Sequence, residues 1–257
     1  MAKLGDQAVG SIVKLNVNGT ARNFIVVHQG LPSSAYDSSC NSTWLLMEDC
    51  YDSMKYGNDN SYPASTVHSY LNNTFINLLD EDIKNIITSV KIPYTNGTGL
   101  SSNQTLSGSN GLSVKVFSLS ASEVGGWSNA RVEGAVLDYF KDANSSKLMA
   151  KLNGSYKAWW LRSPQDNDKS SAVQVSAYGS IQGYPASIAH GVRPALMLPL
   201  NLAVDGSGNV VVKKFSGYAN IGGVNKELSG GYVNIGGAWK EISGAYMNVG
   251  GVWKPMA

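Results

Sequence analysis

The sequence feature that most constrains the fold is a 14-residue repeat near the C-terminus. Three tyrosines stand 14 residues apart, and a Gly-Gly pair and a lysine follow each of them at fixed spacing. The recurring positions are Tyr218, Tyr232 and Tyr246; Gly222-Gly223, Gly236-Gly237 and Gly250-Gly251; and Lys226, Lys240 and Lys254. A strand, a Gly-Gly turn and a second strand predict a β-hairpin in each copy. One hairpin buries too little apolar surface to be stable alone, so the three copies must stack on each other or on another chain. We therefore expect a small all-β repeat module at 216–257 behind a larger domain at 1–215.

The first half of the larger domain carries three strand signals. Ser11–Val17 alternates in part, Asn18-Gly19 is a two-residue turn signal, and Phe24–Val27 supplies a partner strand, which together predict a β-hairpin. The apolar run Thr43–Met47 predicts another strand. Val90–Ile92 indicates a return to extended structure before Pro93.

Two helices are expected between these strands. Ser65 can cap the first, and Asp80 can cap the second, with Glu81 and Asp82 in its first turn. Apolar residues recur on one face of each segment. They are Val67, Tyr70, Leu71 and Phe75 in the first segment and Ile83, Ile86 and Ile87 in the second.

The second half of the domain has clearer strands and a long polar segment. Val114–Leu119 predicts an alternating strand, and Glu133–Lys141 a short helix. Lys157–Leu161 predicts a strand that Ser163-Pro164 ends, because proline cannot donate to a strand ladder. From Gln165 to His190 the chain is polar and interrupted by glycines, which indicates a loop region.

The composition favours a polar surface with few ions. Charged residues make up 15% of the chain, below the usual quarter or so, so Asn, Ser, Thr, Gly and Tyr must cover much of the surface. Adhesive, paratope-like proteins favour such a surface, and so do ordinary extracellular or virion β-proteins. The net charge is +2 without a dense Lys/Arg run, which excludes an electrostatic nucleic-acid surface.

The sequence predicts neither membrane insertion nor secretion by a signal peptide. No stretch approaches the roughly 20 apolar residues of a membrane-spanning helix. The first residues, MAKLGDQAVG, lack the cationic and apolar regions of a signal peptide. We expect synthesis in a host cytoplasm and exit by another route, such as inside an assembled virion.

Residues that could carry catalysis are sparse. Cys40 and Cys50 bracket the predicted strand Thr43–Met47, which favours free, buried thiols over a disulfide, because a disulfide needs Cα atoms within about 7 Å. Two cysteines and three scattered histidines do not form a zinc pattern. No nucleophile beside a base and no paired carboxylates stand out. We therefore expect no enzyme, no catalytic residue, no metal site and no cofactor.

Two acidic or titratable features have a structural and a functional interpretation. His28 follows a strand and precedes a turn, where a hydrogen-bonded structural histidine is the favoured interpretation. Asp166-Asn167-Asp168 could bind a cation, although an ordinary turn explains it as well.

The most distinctive segments are WWLRSP at 159–164 and GVRPAL at 191–196. Each places an arginine, Arg162 or Arg193, at the end of an apolar strand beside a proline. An anion-binding role is one interpretation. We favour the other, in which the guanidinium groups hold loop carbonyls or a buried carboxylate such as Glu123 or Asp138.

These two segments, with IVKLNVNGTARNFIVVHQG and NNTFINLLDEDIK before them, resemble a phage and prophage family that carries a DUF6273-type domain. That family is similar to the C-type-lectin-like variable proteins diversified by retroelements, and more remotely to the formylglycine-generating-enzyme fold. The resemblance runs from about Gly5 to Leu200. It implies an α+β, C-type-lectin-like domain with two helices and a twisted antiparallel sheet. The catalytic cysteine arrangement of the enzymes is not reproduced by Cys40 and Cys50, so their activity is not transferred.

The resemblance also implies which residues bind and which support. In such variable proteins the segment between the two motifs is the displayed ligand-binding surface. Here the expected ligand-binding residues are Gln165, Asp166, Asn167, Asp168, Gln174, Ser176, Tyr178, Ser180, Gln182, Tyr184, Ser187 and His190. The expected structural frame is Trp159, Trp160, Arg162, Arg193 and Pro194.

Two functions compete. The first is a virion receptor-binding, adhesin-like protein that contacts a host cell-surface protein or glycan, with the C-terminal repeats binding other virion proteins or forming an oligomer, a trimer being the favoured state. The second is a structural virion component, such as a decoration or tail-fibre protein, without a recognition role.

Overall fold

The computed structural model describes residues 1–97, 104–142 and 144–212, and the backbone of six strands between 217 and 255. The chain divides into two compact units, Met1–Val211 and Val212–Ala257. The first unit is α+β and consists mostly of sheets. None of the described helices is long and apolar enough to cross a membrane.

Short helices connect the strands of the first unit. The α-helices are Thr66–Asn73 (α1), Glu81–Ile86 (α2) and Ser145–Leu148 (α3). The 3-10 helices are Leu4–Asp6, Ser38–Cys40, Tyr62–Ala64, Phe75–Leu78 and Asp138–Phe140.

The predicted helix caps behave differently. The Ser65 side chain accepts a hydrogen bond from the backbone N–H of His68, which confirms the first cap. Asp80 occupies the N-cap position of α2 but makes no side-chain cap bond. Its carboxylate instead accepts a hydrogen bond from Asn16, because the neighbouring hairpin brings that amide within 2.8 Å.

The described residues of the first unit form 19 strands, many of them very short. In chain order they are Ala2–Lys3 (β1), Ile12–Val17 (β2), Thr20–Gly30 (β3), Ser42–Met47 (β4), Asp52–Lys55 (β5), Val90–Ile92 (β6), Tyr94–Thr95 (β7), Thr105–Leu106 (β8), Leu112–Val114 (β9), Val116–Phe117 (β10), Lys151–Leu152 (β11), Ser155–Tyr156 (β12), Trp159–Pro164 (β13), Ser171–Val175 (β14), Ile181–Pro185 (β15), Ala189–Val192 (β16), Ala195–Leu198 (β17), Ala203–Val204 (β18) and Val210–Val211 (β19).

A first five-stranded sheet has the order β10-β17-β4-β3-β2 and is antiparallel throughout. The predicted hairpin forms its edge: β2 pairs with β3. Asn18 and Gly19 both have positive φ, 51° and 71°, as the favoured two-residue hairpin turn requires. The predicted strand Thr43–Met47 lies in β4, near the centre of this sheet.

A second five-stranded sheet has the order β15-β14-β13-β16-β5. Its pairs are antiparallel except β13 with β16, which is parallel. The single antiparallel sheet expected from the sequence is therefore two sheets, one of them mixed. The parallel pair arises because β16 returns beside β13 after the β14–β15 hairpin.

Alternate residues of both sheets meet in one hydrophobic core. Trp44 and Leu46 come from the first sheet, and Trp159, Leu161 and Val173 come from the second. The Trp44 ring makes edge-to-face contacts with other aromatic rings, an arrangement that aromatic pairs favour. Burial on this scale fixes the register of both sheets.

Three local predictions are wrong. Val114–Leu119 is not one strand: β9 ends at Val114, and β10 pairs with a different neighbour. The Asn72 side chain holds the break, accepting from the Lys115 and Val116 N–H groups and donating to the Val116 carbonyl. The predicted strand Lys157–Leu161 has other bounds: β13 begins at Trp159 and ends at Pro164, which pairs with Ala172 beyond an irregularity in register.

The third error concerns Glu133–Lys141, which contains only the 3-10 turn Asp138–Phe140. Glu133 is instead a fully buried acid. Its carboxylate has hydrogen-bond partners from distant segments, Thr95 and Ser163, in the interior.

Both cysteines are free and buried, as the sequence predicted. Burial raises the pKa of the Cys40 and Cys50 thiols to about 12 each. Both groups are therefore neutral thiols at physiological pH, and neither is an activated nucleophile.

The second unit consists of three separate two-stranded antiparallel sheets, one in each 14-residue repeat. The strands are Gly217–Ile221 (β20) with Val224–Leu228 (β21), Tyr232–Ile235 (β22) with Ala238–Glu241 (β23), and Tyr246–Val249 (β24) with Val252–Pro255 (β25). The Gly-Gly turns and the boundary at Ser216 lie outside the described residues. The stacking of the repeats stays a prediction.

Candidate functional site

The frame predicted from WWLRSP is completely buried. All six residues of β13 are buried, and both indole N–H groups donate to backbone carbonyls: Trp159 to Leu148 and Trp160 to Met54. These bonds connect β13 to α3 and to β5. Satisfied buried donors of this kind hold neighbouring elements in fixed positions.

Arg162 is the centre of a closed polar cluster. Its Nη1 and Nη2 donate to the two carboxylate oxygens of Glu123 at 2.7 and 2.6 Å, with both side chains fully buried. The same guanidinium donates to the carbonyls of Pro93, Ser118 and Glu133. Burial lowers the pKa of Arg162, but Glu123 outweighs it and raises the pKa above its usual value. The predicted pairing with a buried carboxylate is confirmed for Glu123.

Asp138, the other carboxylate considered for an arginine, has different partners. It lies 2.8 Å from His28 Nδ1 and 2.6 Å from Lys141 Nζ. His28 is therefore held beside a carboxylate at a buried position. Burial still lowers the pKa of His28, with Asp138 opposing the shift.

The sequence did not predict that Glu133 belongs to the polar cluster around Arg162. Its carboxylate accepts hydrogen bonds from the Thr95 N–H and from the Ser163 hydroxyl, and burial raises the pKa of Glu133. The available signal was a single glutamate within the otherwise uncharged stretch Val132–Val136. The pattern of apolar residues around it favoured a helix instead.

Arg193 is also buried, yet its surroundings differ. Its Nε donates to the Met47 carbonyl and its Nη2 to the Glu48 carbonyl, both at 2.9 Å. Its guanidinium lies 4.9 Å from the centre of the Trp159 ring, within cation–π range. The next residue, Pro194, is buried and accepts a hydrogen bond from the Met47 N–H. The prediction that this arginine holds loop carbonyls is confirmed.

The segment Gln165–His190 is not the loop that the sequence suggested. It contains β14, β15 and the start of β16, and all five residues of β14 are buried. The polar residues Ser171 and Gln174 concealed this strand, because alternation with polar residues usually marks an exposed face.

The predicted ligand-binding residues fall into three groups by exposure. The exposed ones are Asn167, Tyr178, Ser180, Gln182, Tyr184 and Ser187. The half-buried ones are Gln165, Asp166, Asp168 and Ser176. Gln174 and His190 are buried, at 2% and 8% exposure, which corrects the expectation that these two lie on the displayed surface.

His190 is buried by its aromatic neighbours. Its ring centroid lies 4.6 Å from that of Trp160 and 4.8 Å from that of Tyr184. Burial lowers the pKa of His190 to about 4, so the imidazole is neutral at physiological pH. Its ring packs edge-to-face against the exposed Tyr184 ring.

The half-buried residues at 165–168 are fixed by contacts. Asp166 Oδ1 lies 3.2 Å from Arg131, and Asp168 accepts from the Ser170 N–H and hydroxyl, which lower the pKa of Asp168. Asn167 has φ of 60°, a turn conformation. The turn interpretation accounts for these contacts, and the described residues contain no group of three His, Cys, Asp or Glu side chains placed to hold a metal ion.

The exposed residues are concentrated in residues 176–190, the outer segment. Ser176 organises its turn: the Ser176 N–H donates to the Ser180 carbonyl, and the Ser176 hydroxyl accepts from the N–H groups of Tyr178 and Ser180. Tyr178 stands at this turn with 83% of its surface exposed. A large aromatic side chain that is held out on an ordered backbone can bind a partner at low entropic cost.

Residues 41–200 match the model of a family described as a domain of unknown function, DUF6273. This region covers more than half of the chain and contains both arginine segments. No curated protein and no solved structure matches the chain.

Proposed function

The chain belongs to the DUF6273 family, and because that family has no described function, we propose a function from the site itself. The protein is a non-enzymatic receptor-binding component of a phage or prophage virion. It binds a host cell-surface protein or glycan through the exposed side of its outer segment.

The observation that supports this proposal most is the contrast between β14 and the outer segment beside it. Every residue of β14 is buried, whereas Tyr178, Ser180, Gln182, Tyr184 and Ser187 are exposed a few residues away. Binding loops gain affinity when a rigid scaffold holds adaptable side chains, since little ordering is then needed.

The chemistry of the outer segment supports contact with a neutral surface. From Ser170 to Ala189 the sequence contains no Asp, Glu, Lys or Arg. Binding through tyrosine, serine and glutamine depends on contact area and neutral hydrogen bonds, and we therefore expect it to change little with salt.

We further propose that the first unit is a C-type-lectin-like domain, in which the segment between the WWLRSP and GVRPAL motifs is displayed. The α+β architecture and the return of β16 beside β13 support this. The repeats of the second unit would bind other virion proteins or form an oligomer, with a trimer as the favoured state.

Binding of the fluorescently labelled full chain to a panel of intact bacterial strains tests the proposal. The triple variant Tyr178→Ser, Gln182→Ala, Ile188→Ser removes exposed groups of the outer segment, and we expect at least a tenfold loss of cell binding, since central aromatic contacts usually dominate an interface. The melting temperature should change little, because exposed positions contribute within about 0.5 kcal/mol each.

Val132→Ser is the matched control, since Val132 is 75% exposed and lies outside the outer segment; it should bind as the parent protein does. Unchanged binding by the triple variant would overturn the assignment to this surface. Absence of binding to every strain would favour the alternative function.

The alternative is a structural virion component without a recognition role. The three successive strand pairs of the second unit favour it, because repeated hairpins that cannot bury a core alone need a partner surface. Assembly of the particle in the absence of this protein would count against it.

A further inference from the structure

A polar cleft of about 340 Å³ lies apart from the outer segment's exposed side chains. Arg193 contributes to its wall, together with the lysines Lys147 and Lys151 and the tyrosines Tyr139 and Tyr156. Its volume is near the lower end of small-molecule sites, which begin at about 300 Å³. A single sugar ring or a comparably small molecule fits this volume.

Arg193 has an unfilled hydrogen-bonding capacity at this cleft. The residue is 1% exposed, and its Nη1 has no hydrogen-bond partner among the residues that the structure describes. None of the described carboxylates forms an ion pair with it within 4.0 Å. A buried cation without a paired anion is unfavourable, so an anion that enters the cleft beside it compensates part of that cost.

The two acidic residues that line the cleft already accept hydrogen bonds. Asp49 accepts a hydrogen bond from the Lys151 N–H, and Glu48 accepts one from the Asn23 side chain. With Arg193 and two lysines against these two carboxylates, the lining has an excess of one positive charge.

The lysines and tyrosines form two pairs along the cleft. Lys147 Nζ lies 5.0 Å from the Tyr139 ring centre and donates to the Tyr139 carbonyl. Lys151 Nζ lies 5.3 Å from the Tyr156 ring centre. Each ring fixes an ammonium group beside the cleft, while Tyr156 remains largely exposed and offers a ring face or edge to a ligand.

We propose that this cleft binds an acidic sugar unit, whose carboxylate is recognised by Arg193 and the two lysines. A planar guanidinium suits a carboxylate, and the tyrosines with the Ser146 hydroxyl suit sugar hydroxyls and ring C–H groups. The small volume favours one sugar unit over an acidic peptide, which needs an extended groove.

The cleft and the outer segment share one structural neighbour, the helix α3. A Cβ at Gly179 would lie 2.2 Å from the Ser145 carbonyl oxygen, so the Tyr178 turn rests against the start of α3, and Ser146 and Lys147 of that helix line the cleft. Binding in the cleft does not require the proposed receptor-binding role, because the residues that line the cleft lie outside the outer segment.

Titration of the full chain with galacturonate, followed by NMR chemical shifts or calorimetry, tests the proposal. We expect saturable millimolar binding of galacturonate and none of galactose, which lacks the carboxylate. The double variant Lys147→Gln, Lys151→Gln, which keeps the buried Arg193, should bind about tenfold more weakly, as each exposed charge pair contributes modestly. Arg193→Lys, which keeps a cation but loses the planar fork, should abolish binding.

Lys169→Gln is the control, because Lys169 is exposed and does not line the cleft; it should bind as the parent protein does. Equal binding of galactose, or unchanged affinity in the lysine double variant, would overturn the site. Acetate or a glutamate peptide binding as tightly as galacturonate would overturn the assignment to an acidic sugar. Absence of any binding at millimolar concentration would overturn the proposal as a whole.

Discussion

The surroundings of Arg162 and Arg193 show how one local sequence pattern leads to two different sites. Both arginines follow an apolar run and precede a proline by one or two residues, and both are buried. The chain supplies Arg162 with a carboxylate, Glu123, at 2.6 Å. It supplies Arg193 with two backbone carbonyls and a tryptophan ring. A buried arginine that is paired with a carboxylate has no free capacity for another anion. A buried arginine without such a partner retains an affinity for anions.

The two surroundings also differ in how they depend on their partners. Glu123 accepts from Tyr36 and Ser120 as well as from Arg162, so it joins three parts of the chain. The carbonyls that bind Arg193 belong to neighbouring residues, Met47 and Glu48, at the end of one strand. The first cluster therefore joins three segments of the chain through one carboxylate, whereas Arg193 joins only two segments, its own and the end of β4.

The largest expected effect is at Glu123. Glu123→Gln leaves the Arg162 cation buried without a carboxylate, and we expect a loss of about 3–5 kcal/mol in the free energy of unfolding. Urea unfolding followed by circular dichroism measures it. Glu48→Gln, an exposed acid near Arg193, is the control and should change stability by about 0.5 kcal/mol or less.

A loss below about 1 kcal/mol for Glu123→Gln would break the comparison, because the ion pair would then matter no more than an ordinary hydrogen bond. The double variant Arg162→Met, Glu123→Leu should recover much of the loss, since it removes both buried charges.

A smaller effect is expected at Arg193. Arg193→Met removes two hydrogen bonds and leaves the Met47 and Glu48 carbonyls without their donor, but it leaves no unpaired charge behind. We expect a loss of about 1–3 kcal/mol, clearly less than for Glu123→Gln. Arg22→Met, at an exposed position, is the control for loss of an arginine as such. Equal losses at the two sites would show that the missing acid has no energetic consequence.

The sequence predicts those features that depend on nearby residues. The Asn18-Gly19 turn and the Ser65 cap follow from local conformational preferences, and both are present. Glu123 could be named as a partner because a buried arginine needs an acid and few acids occur in apolar surroundings. The chemistry of these residue types was therefore enough to name Glu123 as a candidate partner of a buried arginine.

What the sequence could not predict depends on contacts between distant segments. β14 has Ser171 and Gln174 among apolar residues, and only the packing of the folded chain, which buries all five of its residues, shows that both faces are covered. Glu133 matched a helical pattern, yet the interior provides Thr95 and Ser163 as its partners. The cleft at Arg193 combines residues from α3, β11 and β12, and no spacing along the chain brings these together.

The smallest expected effect repeats the comparison with histidines in place of arginines. His28 lies 2.8 Å from Asp138, whereas His190 is enclosed by the rings of Trp160 and Tyr184 and has no ion pair among the described residues. Burial lowers the pKa of His190 from 6.5 to about 4. Between these pH values the unfolded chain binds a proton that the folded chain does not, so stability falls as the pH falls through this window.

We expect His190 to account for about 1–2 kcal/mol of this loss, which is less than the full shift implies because the ring lies near solvent. His190→Phe keeps the ring packing and removes the titrating group, so its stability relative to the parent protein should rise as the pH falls from 6.5 to 4.

His28→Phe should give a smaller pH-dependent gain, because Asp138 stabilises the protonated imidazole in the folded chain and opposes the lowering of the pKa of His28. Thermal unfolding of the three proteins at several pH values measures both differences. If both variants gained the same stability at low pH, the carboxylate beside His28 would have no effect on the cost of a buried positive charge. The difference expected between Arg162 and Arg193 would then need another cause.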